Sequence, residues 1–150
     1  MKVSGERTFA APRTVVWRVL NDPAEMAKLM PGVERFEVAD DRHWTAHVKI
    51  PLGLGGLKMK INFEKTEERE PELAALQAKG TGVGALLSIA TRFELADQGS
   101  ETQMHWEADF HVAGQVGSMG QRVLQPIVNQ QVGNVLTALD GRVQAAATGE

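Results

Sequence analysis

Four histidines, at positions 43, 47, 105 and 111, are the side chains best suited to acid–base catalysis or metal binding in this sequence. Each lies in a segment where apolar and polar residues alternate, which is the period of a β-strand with one buried face. His43, His47, His105 and His111 all fall on the polar side of that alternation. A register slip of one residue would reverse the faces, but it would bury the charges of several strands at a much larger cost. We therefore expect the histidines on the solvent face of a sheet.

Other catalytic groups show no clear pattern. The sequence contains no cysteine and no tyrosine, which excludes thiol nucleophiles, disulfides, thiolate metal sites and phenol acid–base chemistry. Catalysis needs a titratable or nucleophilic side chain within hydrogen-bond reach of the substrate, and the nearest candidates are Thr91, Arg7, Arg92 and Glu94. We predict that the protein is not an enzyme. The alternative is an enzyme of the cyclase or hydrolase type that uses Arg7, Arg92 or Glu94.

The composition limits the class of protein. A chain of 150 residues fits one domain over residues 1–150, large enough to bury a sizeable core. Its net charge is −3, and the charges are mixed along the chain without a long basic run, so we expect no nucleic-acid partner. The N-terminal residues lack the apolar stretch of a signal peptide, and no apolar run approaches the ~20 residues of a membrane span. These features favour a cytoplasmic location.

The first third of the sequence predicts a strand followed by two short helices. Period-two alternation indicates a strand over Lys2–Phe9. Pro12 opens a helix that extends to Leu20, because proline is tolerated in the first helical turn. A second helix starts at Asp22, whose side chain can cap it, with Pro23 at the first helical position.

Period-two alternation continues through the middle of the chain. The short polar turns between the segments predict an antiparallel meander, with a bulge or sharp bend where glycines recur at positions 80, 82 and 84. The predicted strands are Val33–Ala39, His43–Ile50, Leu57–Lys65, Leu73–Gly80, Ala85–Leu95 and Thr102–Val112.

The C-terminal segment predicts one long helix over Gly114–Ala147. Its first half carries an apolar stripe at Val116, Met119, Val123 and Ile127, and its second half a stripe at positions 128, 132, 135, 136, 139 and 143. The two stripes do not lie on the same side, and Pro126 between them should kink the helix. We predict an α+β fold in which a curved antiparallel sheet of six or seven strands wraps around this helix, with two short helices after the first strand.

The face of the sheet turned toward the helix is apolar and does not titrate. Such a face suits a hydrophobic ligand held by burial of apolar area; a core filled by its own side chains is the alternative. The predicted ligand-binding residues that line the cavity are Trp44, Ala46, Val48, Met59, Ile61, Phe63, Leu87, Ile89, Phe93, Met104, Trp106, Phe110, Met119, Val123 and Ile127.

The loop between the second and third strands of the meander is apolar where hairpin loops are normally polar. It does not fit a nucleotide-binding glycine motif, and no helix follows it. With lysines at positions 49, 58 and 60 on either side, it predicts a lid over the cavity mouth or contact with an anionic membrane surface. An adaptor surface for a partner protein and an ordinary packed hairpin loop are the alternatives. The residues concerned are Pro51, Leu52, Gly53 and Leu54.

Several motifs along the chain resemble those of the carbon monoxide dehydrogenase G-subunit family. That family belongs to the START-like, helix-grip superfamily (SRPBCC), which includes Bet v 1 and polyketide cyclases. The motifs are Phe9-Ala10-Ala11-Pro12 with Val15-Val16-Trp17, Asn21-Asp22-Pro23, Met30-Pro31-Gly32-Val33-Glu34, Gly80-Thr81-Gly82, and Val112-Ala113-Gly114 with Gly117-Ser118-Met119-Gly120-Gln121-Arg122.

The resemblance implies a helix-grip fold with an apolar cavity under the C-terminal helix and an accessory rather than catalytic role. It also implies a bound quinone or lipid in place of a catalytic cofactor. As partners, it implies a molybdenum carbon monoxide dehydrogenase or a related redox complex, reached by peripheral contact with the inner face of the cytoplasmic membrane.

Overall fold

The computed structural model describes residues 1–51 and 56–149. A single 3₁₀ turn, Gly117–Met119, precedes the last helix. The other elements in chain order are β1 (Lys2–Phe9), α1 (Arg13–Asn21), α2 (Pro23–Leu29), β2 (Val33–Val38), β3 (His43–Ile50), β4 (Leu57–Arg69), β5 (Leu73–Gly82), β6 (Ala85–Gln98), β7 (Glu101–Ala113) and α3 (Gln121–Thr148).

The seven strands form one curved antiparallel sheet in the order β1-β7-β6-β5-β4-β3-β2. Strands β2 to β7 follow one another as a meander, and β1 returns to pair with β7 along its whole length, from Lys2 opposite Asp109 to Phe9 opposite Thr102. This arrangement confirms the predicted α+β architecture. The predicted bend at the glycines is a tight turn after Gly82, because β5 continues to that residue before the chain reverses into β6.

The two short helices form where their start signals predict them. The Asp22 carboxylate accepts a hydrogen bond from the Ala24 backbone N–H at 3.0 Å, and Pro23 occupies the first helical position. Helix α1 buries Val16 and Val19. Both helices pack against α3 and support one end of it over the sheet.

The long helix begins later than its apolar pattern predicts. Gly114 and Gly120 have φ angles of 85° and 81°, in the left-handed region that interrupts a helix. At Gly114 an added Cβ would lie 2.7 Å from the Gly84 carbonyl oxygen, so the chain passes too close to the β5–β6 turn for a side chain. The predicted first turns of the helix are therefore a loop and a 3₁₀ turn, and α3 starts at Gln121.

Two ion pairs hold the C-terminal half of α3. Arg7 of β1 donates from Nε to Asp140 Oδ1 at 2.9 Å and from Nη2 to Oδ2. Arg142 donates from Nε to Glu25 Oε2 at 2.7 Å and from Nη2 to Oε1 at 3.0 Å. The hydrogen bonds from Arg142 lower the pKa of the Glu25 carboxyl, and the hydrogen bond to Asp140 raises the pKa of Arg7. These bidentate pairs fix α3 to β1 on one side and to α2 on the other.

The apolar interior divides into two clusters. The first cluster joins β1, α1, α2 and the C-terminal half of α3, with Val16, Leu139 and Val143 among its buried members. The second lies on the inner face of β3 to β6, around Ala46 and Ile61. The space between them is where the candidate site lies.

Candidate ligand-binding cavity

A cavity of about 370 Å³ lies between the inner face of the sheet and α3. The strands supply its floor and walls through the inward residues of the alternating pattern, while α2 and α3 close it from above. The residues of α3 that face it are Leu124, Ile127, Val128, Gln131, Val132, Val135, Leu136 and Leu139. Its volume falls within the range of about 300–1,000 Å³ that is usual for small-molecule sites.

Most of the predicted lining residues lie in the cavity wall. The residues in the wall are Val48, Met59, Ile61, Phe63, Leu87, Ile89, Phe93, Met104, Trp106, Phe110 and Ile127. That these side chains contact a ligand stays a prediction.

Two predicted lining residues of β3, Trp44 and Ala46, are buried but outside the cavity wall. Trp44 stacks on Phe63, with ring centroids 5.9 Å apart, and of this pair it is Phe63 that borders the cavity. Alternation identifies the buried face of a strand, but it does not tell which buried residues pack on one another and which border open space.

Two predicted lining residues near the start of α3 are placed differently from the prediction. Met119 is 43% exposed and Val123 is 42% exposed, and both lie outside the wall. Met119 belongs to the 3₁₀ turn, so its spacing from Ile127 is not helical. Val123 lies in the first turn of α3.

The true stripe of α3 runs through residues that the pattern of its first half did not include. Leu124, Val128 and Gln131 recur at intervals of three and four and continue into Val135 and Leu139, so one face of the helix borders the cavity along about four turns. The sequence would have revealed this stripe if Gln131 had been counted as part of it. Because glutamine is polar, it interrupts the apolar pattern and hides the continuity of the face.

The cavity wall offers little chemistry beyond apolar contact. Among the described residues that line it, none is Asp, Glu, His, Lys or Arg, and the polar side chains are Thr91, Gln131 and the indole of Trp106. The Thr91 hydroxyl donates a hydrogen bond to the Glu107 carbonyl at 2.9 Å, so it is already paired as a donor within the sheet. A charged ligand group would lie in this cavity without a counter-charge, which is strongly unfavourable.

Of the candidate catalytic residues, Thr91 lies in the cavity wall, whereas Arg7, Arg92 and Glu94 lie outside it. Arg7 is paired with Asp140. Arg92 and Glu94 are paired with each other at 3.1 Å on the outer face of β6, where they border a separate polar depression that also includes His105. The cavity wall, as far as the structure describes it, therefore contains no general acid or base.

Neither a metal-ligand cluster nor a membrane-spanning helix is present among the described residues. Within residues 1–51 and 56–149, no cluster of three or more His, Asp or Glu side chains is placed to hold a metal ion. Across the same ranges, no helix is both long enough and apolar enough to span a membrane. In the apolar loop, Pro51 is exposed; Leu52, Gly53 and Leu54 lie outside the described residues.

Solved structures with this fold are numerous. A conserved protein from Geobacillus kaustophilus is 19% identical with a TM-score of 0.89, and the match covers 97% of each chain. A START superfamily protein from Mycobacterium smegmatis is 16% identical with a TM-score of 0.73, covering 95% of this chain and 97% of that one. The Zhui aromatase/cyclase from Streptomyces sp. R1128 is 18% identical with a TM-score of 0.71, covering 97% and 94%. At these identities the likeness establishes the START-like helix-grip fold.

A search of curated proteins gives no match to this sequence. The family model for the G subunit of carbon monoxide dehydrogenase (CoxG) matches residues 5–144, which is nearly the whole chain. The match includes both short helices, the whole meander and α3 as far as Gln144. The chain therefore belongs to the carbon monoxide dehydrogenase G-subunit (CoxG) family.

Proposed function

We propose that this protein binds a hydrophobic small molecule, a quinone or a lipid, as a non-catalytic accessory protein. The observation that carries the proposal is the cavity of about 370 Å³ with an almost entirely apolar wall. Membership of the CoxG family and the START-like fold support the same general role.

The physics of packing supports a role in binding. Apolar side chains that border open space lack the van der Waals contacts of a filled core. A hydrophobic ligand in this cavity would restore part of those contacts and would remove apolar surface from water.

The setting that we propose is the surface of a membrane, beside a redox complex. The family is named after a component of carbon monoxide dehydrogenase, and a quinone or lipid is most concentrated in a membrane. In our proposal the protein exchanges its ligand by peripheral contact with the inner face of the membrane and delivers it to a molybdenum carbon monoxide dehydrogenase or a related redox enzyme.

One structural neighbour favours a second candidate function. The aromatase/cyclase from Streptomyces shares the fold, and a cyclase-type enzyme would use the same cavity. The absence of an acid or base from the described part of the cavity wall weighs against it. A third proposal, an adaptor that acts through the loop at residues 51–56, rests on the sequence alone.

The test of the proposal is to purify the protein natively from its own host and extract it with organic solvent. Mass spectrometry and an ultraviolet spectrum of the extract would identify the bound molecule. The proposal predicts a quinone or lipid at about one molecule per chain. An extract that remains empty, together with no binding of such ligands added to the purified protein, would contradict it.

A further inference from the structure

We propose that Gln131 of α3 recognises the polar group of the ligand, and that the ligand is an uncharged molecule with a carbonyl or hydroxyl group inside the cavity. This inference rests on the proposed function. It adds a specificity-determining residue and restricts the chemical class of the ligand.

Gln131 is placed on the face of α3 that borders the cavity. Val128 and Val132 flank it on the same wall, and Val135 follows one turn later. A glutamine at this position forgoes the apolar burial that its neighbours gain. A polar residue on this otherwise apolar stripe can offer its amide as a hydrogen-bond partner to a ligand in the cavity.

Among the described residues, the Gln131 amide has no hydrogen-bond partner. In the part of the chain that the structure describes, no side-chain hydrogen bond joins it to another residue, whereas the amide of Gln125 on the same helix donates to Asn129 Oδ1 at 3.0 Å. The Gln131 polar atoms are also absent from the fully enclosed unpaired atoms, of which Trp44 Nε1 is the example. The Gln131 amide therefore has a donor and an acceptor that are unpaired among the described residues and are not fully enclosed.

The other two polar side chains of the wall are less available. The Thr91 hydroxyl donates its hydrogen bond to the Glu107 carbonyl, so toward a ligand it can act only as an acceptor. The polar edge of the Trp106 indole lies against Gly5 of β1. The contact is close enough that a Cβ added at Gly5 would lie 3.2 Å from Trp106 Nε1. Gln131 is therefore the side chain of the described wall that can both donate to a carbonyl and accept from a hydroxyl.

The same wall discriminates against charged ligands. A carboxylate or phosphate beside Gln131 would be removed from water with one amide as its partner and no cation in the described wall. An uncharged carbonyl or hydroxyl loses much less hydration and can be satisfied by one amide. The site therefore favours a neutral amphiphile over a fatty-acid anion or a phospholipid headgroup.

Three naphthalene probes separate these requirements. Naphthalene has no polar group, 2-acetylnaphthalene adds a neutral carbonyl, and 2-naphthoate replaces the acetyl group by a carboxylate of nearly the same shape. Their affinities for the full-length protein would be measured by equilibrium dialysis at neutral pH. We expect the wild-type protein to bind 2-acetylnaphthalene most tightly, naphthalene less tightly, and 2-naphthoate most weakly of the three.

Two matched variants locate the effect. Gln131→Leu removes the amide at nearly constant size, and Gln130→Leu makes the same change at the adjacent exposed position outside the cavity. We expect Gln131→Leu to weaken the binding of 2-acetylnaphthalene about 3- to 10-fold, which is the range that a neutral hydrogen bond supports. The same variant should bind naphthalene as tightly as the wild type or more tightly. Gln130→Leu should change the affinity for neither probe.

Infrared spectroscopy gives a second readout. The carbonyl stretch of bound 2-acetylnaphthalene should lie at lower frequency in the wild type than in Gln131→Leu, a shift that packing alone would not produce.

The outcomes distinguish this inference from the proposed function. If the wild type binds naphthalene and its ketone, but Gln131→Leu changes neither their affinity ratio nor the carbonyl frequency, the role of Gln131 is refuted and the carrier function stands. If 2-naphthoate binds as tightly as the ketone, the restriction to neutral ligands is refuted. If no probe binds to the wild-type protein, this inference is refuted, and the extraction experiment decides the proposed function separately.

Discussion

The two halves of α3 belong to the same helix but have different surroundings. The C-terminal half, from Leu136 onward, contributes Leu139 and Val143, each 2% exposed, to the cluster beneath α1 and α2. It also carries the partners of both ion pairs, Asp140 and Arg142. The N-terminal half lies over the cavity, and Leu124 is its one buried residue among those described.

The difference separates stability from binding within one element. Packing and ion pairs at the C-terminal half determine where the helix lies. The N-terminal half can then leave space below it, because it is held in place by its own continuation rather than by contacts with the sheet. Local stability follows the density of buried contacts, so we expect the N-terminal half to be the part of α3 that moves aside when a ligand enters.

The largest contrast is expected when both halves receive an added ring. Val143→Phe inserts a phenyl ring into a filled core and should lower the free energy of unfolding by about 1–3 kcal/mol or more. Val128→Phe places the same ring in the cavity, so it should leave stability unchanged or raised and should abolish ligand binding. Urea denaturation and equilibrium dialysis check the two effects. Equal destabilisation by both variants would mean that the cavity is not open space.

Truncation of the same two valines should give a smaller contrast. Val143→Ala removes fully buried methyl groups and should cost about 2 kcal/mol, whereas Val128→Ala enlarges an existing cavity and should cost less than about 1 kcal/mol. Urea denaturation measures both effects, provided that the dependence of the unfolding free energy on urea concentration is the same for all variants. A cost at Val128 as large as that at Val143 would show that the two halves of α3 are packed alike.

The smallest effect concerns the ion pair between α2 and α3, and it depends on pH. Because the Arg142 hydrogen bonds lower the pKa of Glu25 from its ordinary value of 4.5, the stabilisation is fully present above that value and is lost as the pH falls through the lowered pKa. Glu25→Gln should therefore reduce stability at neutral pH, by less than the Val143→Ala change, and the difference from wild type should disappear in acid. A difference that persists unchanged below the lowered pKa would contradict this assignment.

Strand alternation predicted most of the fold because each strand has one face toward the interior. The same rule places Lys65 of β4 inward, so the prediction that this face carries no titratable residue is wrong at this position. The structure buries Lys65 to 6% exposure, with its Nζ 3.4 Å from Glu68 Oε2. The partner could not be predicted, because a register shift lies between Lys65 and Glu67. Alternation gives the face of a residue, whereas partners depend on local irregularities of the ladder.

The cavity itself was harder to predict than the fold. An apolar face is compatible with both a filled and an open interior, since the difference depends on how far α3 stands from the sheet. The start of α3 was also missed, because Met119 and Val123 continue an apolar periodicity across Gly120, where the backbone leaves the helical conformation. Gln131 was overlooked because it interrupts the stripe to which it belongs.

The most direct test of the account uses the methyl groups of the 6 methionines as reporters. Met26, Met30, Met59 and Met104 line the cavity, whereas Met119 is exposed outside it and Met1 lies at the start of the chain. In protein labelled with ¹³C at the methionine methyls, saturating 2-acetylnaphthalene should shift the resonances of the four lining residues and leave those of Met1 and Met119 in place. Shifts confined to Met1 and Met119, or no shifts at saturation, would contradict binding in this cavity.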